Sequence, residues 1–394
     1  MYPWPPHLQH LGDAVKDYID SGKPLSISDH AGVLKELEDE FAQIHGRKYA
    51  LAVSSGTMAL CSAYFALGIQ PGDEIICTSI SFHATVSPAR LWGAKIIFCD
   101  TEADTGNIDV TKIEKLITPK TKAIATNDQW GHPCDKEKIL EICHKYNVKY
   151  IEDCSHAHFS QYKGKYSGTF GTISCWSFQG RKLLSGGEGG MLMTDDFSLY
   201  ERAVLLGHYS WRSIRTVQSP CYKDIAGTGF GLKLRMHPLA AVILLYELRH
   251  CYKDWVQKRH ETLRYFEKRL TERTPLLPMA KREYVTSMGA WYGFYPRYDF
   301  EKNHINRDDF VDYLRRNGVE AKSPKDKLLP YLPLFSTDEF GSIPNSANYK
   351  KDGYPAAEHY MSSIVGFPTF TFHEYEEIDR YVDCISEYFR LHKR

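Results

Sequence analysis

In the stretch DKEKILEICHKYNVKYIED, residues 135–153, a helical segment runs directly into a short apolar strand, VKYIED, whose last residue is Asp153. Five further runs of the same kind surround it: DEIICTSISF, AKIIFCD and KAIATND before it, GTISCWSF and GGMLMTD after it. Apolar runs this continuous suit strands covered on both faces, as in a parallel or mixed sheet between helices. Two helical segments precede them: VLKELEDEFAQIHG, which Gly46 is placed to stop, and SSGTMALCSAYFALGI, which opens on small polar residues. The expectation is an α/β protein whose large domain, residues 30–250, is a three-layer αβα unit around a mixed, mostly parallel sheet. From Pro238 the run HPLAAVILLYELRHCYKDWVQKRHETLRYFEKRL predicts one long helix bridging two lobes. Beyond it, AWYGFYPRYD, RDDFVDYLRRNGVEAK and EEIDRYVDCISEYFRLHKR predict a smaller C-terminal α+β domain over residues 251–394, with residues 1–29 assigned to it. Residues 324–357 are rich in Pro, Gly, Ser and Asn and predict a long loop of the kind that covers a site.

At 394 residues the chain is too long for one small core, in keeping with two lobes. Its 49 basic and 49 acidic side chains cancel, so no broad positive field draws it to nucleic acid or to a membrane surface. The longest apolar runs, such as LAAVILLYEL from Leu239, reach about half of the roughly 20 residues a membrane span requires. The start MYPWPPHLQHLGD lacks a charged-then-apolar pattern, so no secretory signal is expected. Ten cysteines form no CxxC pair, and Cys77, Cys99 and Cys175 lie inside strand-like runs. That usage predicts buried free thiols in a reducing cytoplasm, not a disulfide framework or a zinc site.

Three features carry chemistry. In AVSSGTMAL, residues 52–60, a strand passes through Ser54, Ser55, Gly56 and Thr57 into a helix. Unpaired N–H groups with a helix dipole behind them offer a phosphate seat, although an ordinary Ser/Thr helix cap reads the same way. In VKYIEDCSHAHFS, Asp153 falls at the carboxyl end of a buried strand, where open α/β sheets bind ligands. His156 and His158 follow, so a metal site with Asp153 and a plain turn or cap role for Asp153 are the competing readings. Lys182 comes 29 residues after Asp153, just past the next strand and beside the glycine-rich SGGEGG. A phosphate seat, a buried acid and a lysine are what pyridoxal phosphate requires: an anchored phosphate, a protonated ring nitrogen, and an aldehyde held as a lysine imine. Lys182 then also moves the proton. Phe82, in SISFHATVSP, either stacks on the ring or belongs to the core. Ser177 either adds a hydroxyl to the phosphate or makes a strand-end hydrogen bond.

At these residues the chain resembles the DegT/DnrJ/EryC1/StrS sugar aminotransferases, within the fold-type I pyridoxal-phosphate enzymes. The resemblance runs from about Leu37 to Phe370 through FAQIHGRKYALAVSSGTMAL, PGDEII, SFHAT, ITPKTKAI, GHPCD, IEDCSHAH, GTFGTISCWSFQGRK and GGEGG, in that order. It implies an imine on Lys182 and Asp153 on the pyridine nitrogen. It implies His156 near the 3′ oxygen, Phe82 stacked on the ring, and Gly56, Thr57 and Ser177 on the phosphate. In relatives a neighbouring subunit adds a phosphate ligand from an N-Y-R-M segment. Here that segment reads GLKLRMHPLAA, which puts Lys233 in the place and implies a homodimer with shared active sites.

The activity so implied is transfer of an amino group from glutamate, or glutamine, to a keto or aldehydo sugar, in the cytoplasm, toward polysaccharide, lipopolysaccharide or antibiotic assembly. The spellings GLKLRM and SFQGRK favour a nucleotide-free acceptor, with 8-oxo-Kdo giving 8-amino-Kdo as a named case; a nucleotide-linked keto sugar is the alternative. His208, Tyr209, Arg212 and the 324–357 loop are the expected substrate contacts. No metal is expected. A non-catalytic cofactor-binding regulator and a metal hydrolase are the readings of another class.

Overall fold

The computed structural model describes residues 9–337 and 353–392 together with Pro6. Seven strands form the main sheet: β1 (Tyr49–Val53), β2 (Glu74–Thr78), β3 (Lys95–Cys99), β4 (Thr121–Asn127), β5 (Lys149–Asp153), β6 (Ile173–Ser177) and β7 (Gly190–Thr194). Their order is β1-β7-β6-β5-β4-β2-β3, with every pairing parallel except those β7 makes with β1 and β6. Each predicted apolar run is one of these strands, and the sheet is mixed and mostly parallel. Burial on both faces explains the continuous apolar character. Leu51 and Val53 of β1 enter the core beneath α2 (Gly56–Ala66), while Ala50 and Ala52 enter the opposite core beneath α1 (Gly32–His45). Gly46 ends α1 in the left-handed conformation, φ 65°, which glycine adopts without strain.

Parallel register puts the carboxyl ends of β2, β4, β5 and β6 on one edge. Asn127 is level with Asp153, and Asp153 with Cys175. A crevice along that edge is where such sheets carry ligands.

The predicted bridging helix is two helices, α3 (Pro238–His250) and α4 (Tyr252–Arg273). The break falls at Cys251, φ −123°, where Tyr252 seats its ring 4.1 Å from that of Phe159. No glycine or proline marks this break; a tertiary contact coincides with it. Phe266 and Leu270 of α4, with Phe294, Phe310, Phe370, Tyr381 and Ile385 beyond it, form a separate aromatic-rich core. We propose the division near residue 250 on the strength of that second core. The N-terminal segment packs elsewhere: Tyr18 lies in the core with Leu34, Leu37 and Leu245. The expected 324–357 loop is ordered over its first part, with short helical turns at Leu329–Tyr331 and Pro333–Ser336, and a helix begins again at Pro355. Residues 338–352 of that prediction lie outside the described residues.

Candidate active site

Asp153 ends β5, buried, with both carboxylate oxygens engaged. The Thr85 hydroxyl donates to Oδ2 at 2.7 Å, and the Ser155 N–H donates to Oδ1 at 3.1 Å. Thr85 is itself held: its Oγ1 lies 2.7 Å from Ser81 Oγ, and its carbonyl accepts from Tyr64 OH at 2.6 Å. The same short turn carries Phe82, whose ring is 61% exposed and so is not a core side chain.

Lys182 follows β6 and is only 8% exposed, with Nζ 3.9 Å from the centroid of the Tyr292 ring. Burial lowers its pKa to about 8, against an opposing pull from Asp153. An amine so placed has a far larger neutral fraction near neutral pH than an exposed lysine, which suits a nucleophile and proton carrier. His156 stacks on the other partner of that contact, its ring 3.9 Å from Tyr292 at 17°. Burial, then the Lys182 charge, hold the imidazole well below its usual pKa, so it is neutral. Its buried Nδ1 has no hydrogen-bond partner among the described residues.

The expected phosphate seat lies where α2 begins beside the end of β6. Ser55 caps α2 by accepting from the Met58 N–H at 3.2 Å, leaving the first-turn N–H groups of Gly56 and Thr57 without an acceptor inside the helix. A Cβ on Gly56 would meet Ser177 Cβ at 2.6 Å, so only glycine lets helix tip and strand end approach this closely. Ser177 keeps both of its roles open: Oγ is within 3.4 Å of the Gln179 N–H, a weak contact.

His158 is not aimed at the site. Its Nε2 lies 3.0 Å from the Ser177 carbonyl and its Nδ1 3.4 Å from the Leu184 N–H, so it braces both ends of the segment that carries Lys182. Among the described residues no group of three His, Cys, Asp or Glu side chains could hold a metal ion. His208 and Arg212, expected at the substrate, lie in the interior. Arg212 donates to Glu38 Oε2 at 2.9 Å and to Tyr200 OH at 2.7 Å. Burial works against ionising Glu38, yet Arg212 and His30 overcome it and hold its carboxyl at about 2. The ion pair is structural: Glu38 also accepts from the Ala52 N–H of β1. Tyr209 is half-buried, with the Arg235 guanidinium over its ring. Lys233 is exposed, on a segment whose backbone pairs with His208.

Three features escaped the sequence reading. Thr85 and Tyr292 are two; the third is Lys136, fully buried, with Nζ 2.6 Å from Asp128 and 3.0 Å from Glu152. Glu152 in turn accepts the N–H groups of Gly168, Phe170 and Gly171. The cluster ties the carboxyl ends of β4 and β5 together directly behind Asp153. Only the aspartate ending KAIATND, the lysine of GHPCDKE and the glutamate of YIED hinted at it, and charged residues there read equally well as a solvated surface.

The residues present fit pyridoxal phosphate. A helix tip with two free N–H groups suits its phosphate, an oriented carboxylate its ring nitrogen, a buried amine its aldehyde, and the orphaned His156 nitrogen a ring substituent. Comparison with known proteins agrees. Residues 13–386 match the DegT/DnrJ/EryC1/StrS aminotransferase family. A GDP-perosamine synthase of Escherichia coli O157:H7 is 32% identical over 391 residues, 98% of each chain. A GDP-perosamine synthase of Caulobacter vibrioides is 34% identical over 316 residues, 79% of this chain and 82% of its own. The X-ray structure of an aminotransferase from Psychrobacter cryohalolentis matches with a TM-score of 0.85 at 29% identity, covering 99% of this chain and 98% of that one. The chain belongs to the DegT/DnrJ/EryC1/StrS aminotransferase family: it has the fold-type I architecture and is a pyridoxal-phosphate-dependent sugar aminotransferase.

Proposed function

We propose, from that membership, that the enzyme takes an amino group from glutamate and delivers it to the carbonyl carbon of a keto sugar carried on a nucleotide. The observation that supports the site assignment is the buried Lys182, its pKa lowered to about 8, within the electrostatic reach of an Asp153 oriented by Thr85. The nucleotide-linked acceptor is supported by the two relatives named for GDP-perosamine synthesis. Pyridoxal phosphate, once bound, supplies the electron sink that makes the donor's Cα–H acidic and carries the nitrogen between half-reactions. Lys182 Nζ would move the proton from the donor Cα to the cofactor's aldehyde carbon and, in the second half, back from that carbon to the acceptor carbon. Asp153, with both oxygens held, keeps a proton on the ring nitrogen. Neutral His156 would meet the ring's oxygen substituent, Gly56, Thr57 and Ser177 would hold the phosphate, and Phe82 would cover one face of the ring.

The exposed Phe82 and Lys233 suit completion by a second copy of the chain, with Lys233 reaching the partner's phosphate; a homodimer with shared sites is part of the proposal. A second reading, a nucleotide-free sugar acid such as 8-oxo-Kdo, is favoured by Arg181 next to Lys182, which could meet an acceptor carboxylate. The product would serve polysaccharide, lipopolysaccharide or antibiotic assembly in the cytoplasm; no described helix is long and apolar enough to cross a membrane. Lys182→Ala should lose both the cofactor's visible absorbance band and turnover, and a variant retaining both sinks the assignment. Protein loaded with pyridoxamine phosphate and offered a GDP-linked keto sugar or 8-oxo-Kdo reports its acceptor by return of that band.

A further inference from the structure

We infer that Glu247 of α3 fixes the position of Lys182: its carboxyl accepts the Ser185 N–H and so clamps the loop on which the lysine stands. The inference rests on the transamination reading above and adds to it a positioning residue that acts through the backbone.

Lys182 stands between β6 and β7, on a loop that its own sequence leaves loose. Four of the five residues from 186 to 190 are glycine, with Gly187 at φ 81°, and glycine has the most backbone freedom to lose. Within the loop the Lys182 N–H donates to the Gln179 carbonyl at 2.8 Å, and the Gly186 N–H to the Phe178 carbonyl at 3.1 Å. Further hold comes from outside it. His158 braces Ser177 and Leu184, and Leu183 and Leu184 enter the core that α3 lines with Leu244 and Leu248.

Glu247 adds a polar anchor three residues beyond the lysine. The Ser185 N–H donates to Glu247 Oε2 at 2.7 Å, and both residues are buried. Ala240 lies seven residues before Glu247, on the same face of α3. A Cβ on Gly186 would come within 3.1 Å of the Ala240 Cβ, so the helix meets the loop at two successive residues, Ser185 and Gly186. Among the described residues Glu247 makes no ion pair. Burial pushes its carboxyl up to about 8, against the pull of the Ser185 N–H, so it is protonated at neutral pH. Burying an acid without a countercharge costs stability, and a leucine would suit the apolar surroundings better. What a leucine lacks is an acceptor for the Ser185 N–H. A reacting group displaced by about 1 Å can lose rate 100-fold, so a fixed backbone beside Lys182 has a chemical consequence.

The test compares wild type with Glu247→Gln, Glu247→Asp and Glu247→Leu. Hydrogen exchange of the Ser185 N–H in the apoprotein reads the clamp, and the pH profile of pyridoxal phosphate uptake reads the placement of Lys182. Leucine offers no acceptor, and aspartate draws its carboxyl back by one methylene. In both variants exchange should quicken about 10-fold or more. The apparent pKa of uptake should climb from about 8 toward the ordinary lysine range as the amine leaves its buried place. The rate at which glutamate converts the loaded cofactor, followed by visible absorbance, should fall about 10-fold or more. The glutamine variant keeps an uncharged acceptor and should retain most of the wild-type behaviour in all three. The aspartate variant carries the test if the leucine chain does not fold. Wild-type exchange or an unshifted uptake profile in the aspartate and leucine variants overturns the clamp, even where their melting temperatures fall, because packing alone accounts for that. A glutamine variant as impaired as the leucine one overturns it too. A wild-type protein that takes up no pyridoxal phosphate, or whose bound cofactor glutamate leaves unchanged, overturns the transamination reading instead.

Discussion

Thr85 shows how much one hydroxyl decides. A carboxylate proposed to grip a ring nitrogen needs a defined orientation, and Thr85 with Ser155 supplies it to the two oxygens of Asp153. Thr85→Val keeps the shape but removes the donor, leaving Oδ2 unpaired in a buried place. We expect kcat/KM to fall roughly 10-fold or more, with Thr85→Ser restoring most of it and the melting temperature little changed. Equal kcat/KM in the wild type and the valine variant would show that Asp153 is oriented by other means. Lys182 makes a prediction about pH. Burial disfavours the ammonium form, so the neutral amine appears at lower pH than for an exposed lysine. The rate at which the apoprotein takes up pyridoxal phosphate should rise with pH to a plateau with an apparent pKa of about 8. A profile still climbing through the ordinary lysine range near 10.5 would contradict the buried placement.

Among elements, the neighbouring strands β4 and β5 are joined by more than their ladder. Lys136 lies between Asp128 and Glu152, and Glu152 gathers three N–H groups from residues 168–171. The two buried carboxylates raise the Lys136 pKa although burial alone would lower it, so the ammonium is the stable form. Lys136→Met strands both carboxylates without a cation, which should cost about 3–5 kcal/mol. Denaturant unfolding of the apoprotein measures this directly, and a loss below about 1 kcal/mol would mean the cluster is solvated or rearranges. The close approach of α2 to β6 at Gly56 belongs to the same scale. There a missing side chain, not an added one, brings the helix tip proposed as the phosphate seat beside the strand that leads to Lys182.

At the scale of the whole molecule, the segment bearing Lys233 leaves large apolar side chains exposed: Phe230 and Leu232 on it, and Trp211 and Ile214 in the preceding helix. Apolar surface of this kind is expected to be covered. If a second copy covers it and lends Lys233 to the neighbouring phosphate, inactive variants should complement one another. Lys182→Ala and Lys233→Ala proteins, each impaired, should regain activity on mixing and subunit exchange, toward one intact site per mixed dimer. A strictly monomeric enzyme in solution, or no gain on mixing, would refute shared sites.

The order of strands and helices, the stop at Gly46, the strand-end position of Asp153 and the loop position of Lys182 were all determined by the sequence alone. Each is local: burial on both faces writes itself as a continuous apolar run, and a cap or a stop needs only its own few residues. Tertiary structure alone decided the rest. It brought Thr85 to Asp153 and laid Tyr292, from the C-terminal lobe, under Lys182. It turned His158 into a brace, drew Arg212 and His208 inward to the neighbourhood of Glu38, and broke the bridging helix at Cys251. A sequence pattern records how strongly a side chain prefers to be buried; which distant partner then satisfies its hydrogen bonds and charge is settled only when the packed chain leaves one arrangement with every buried group in reach of another.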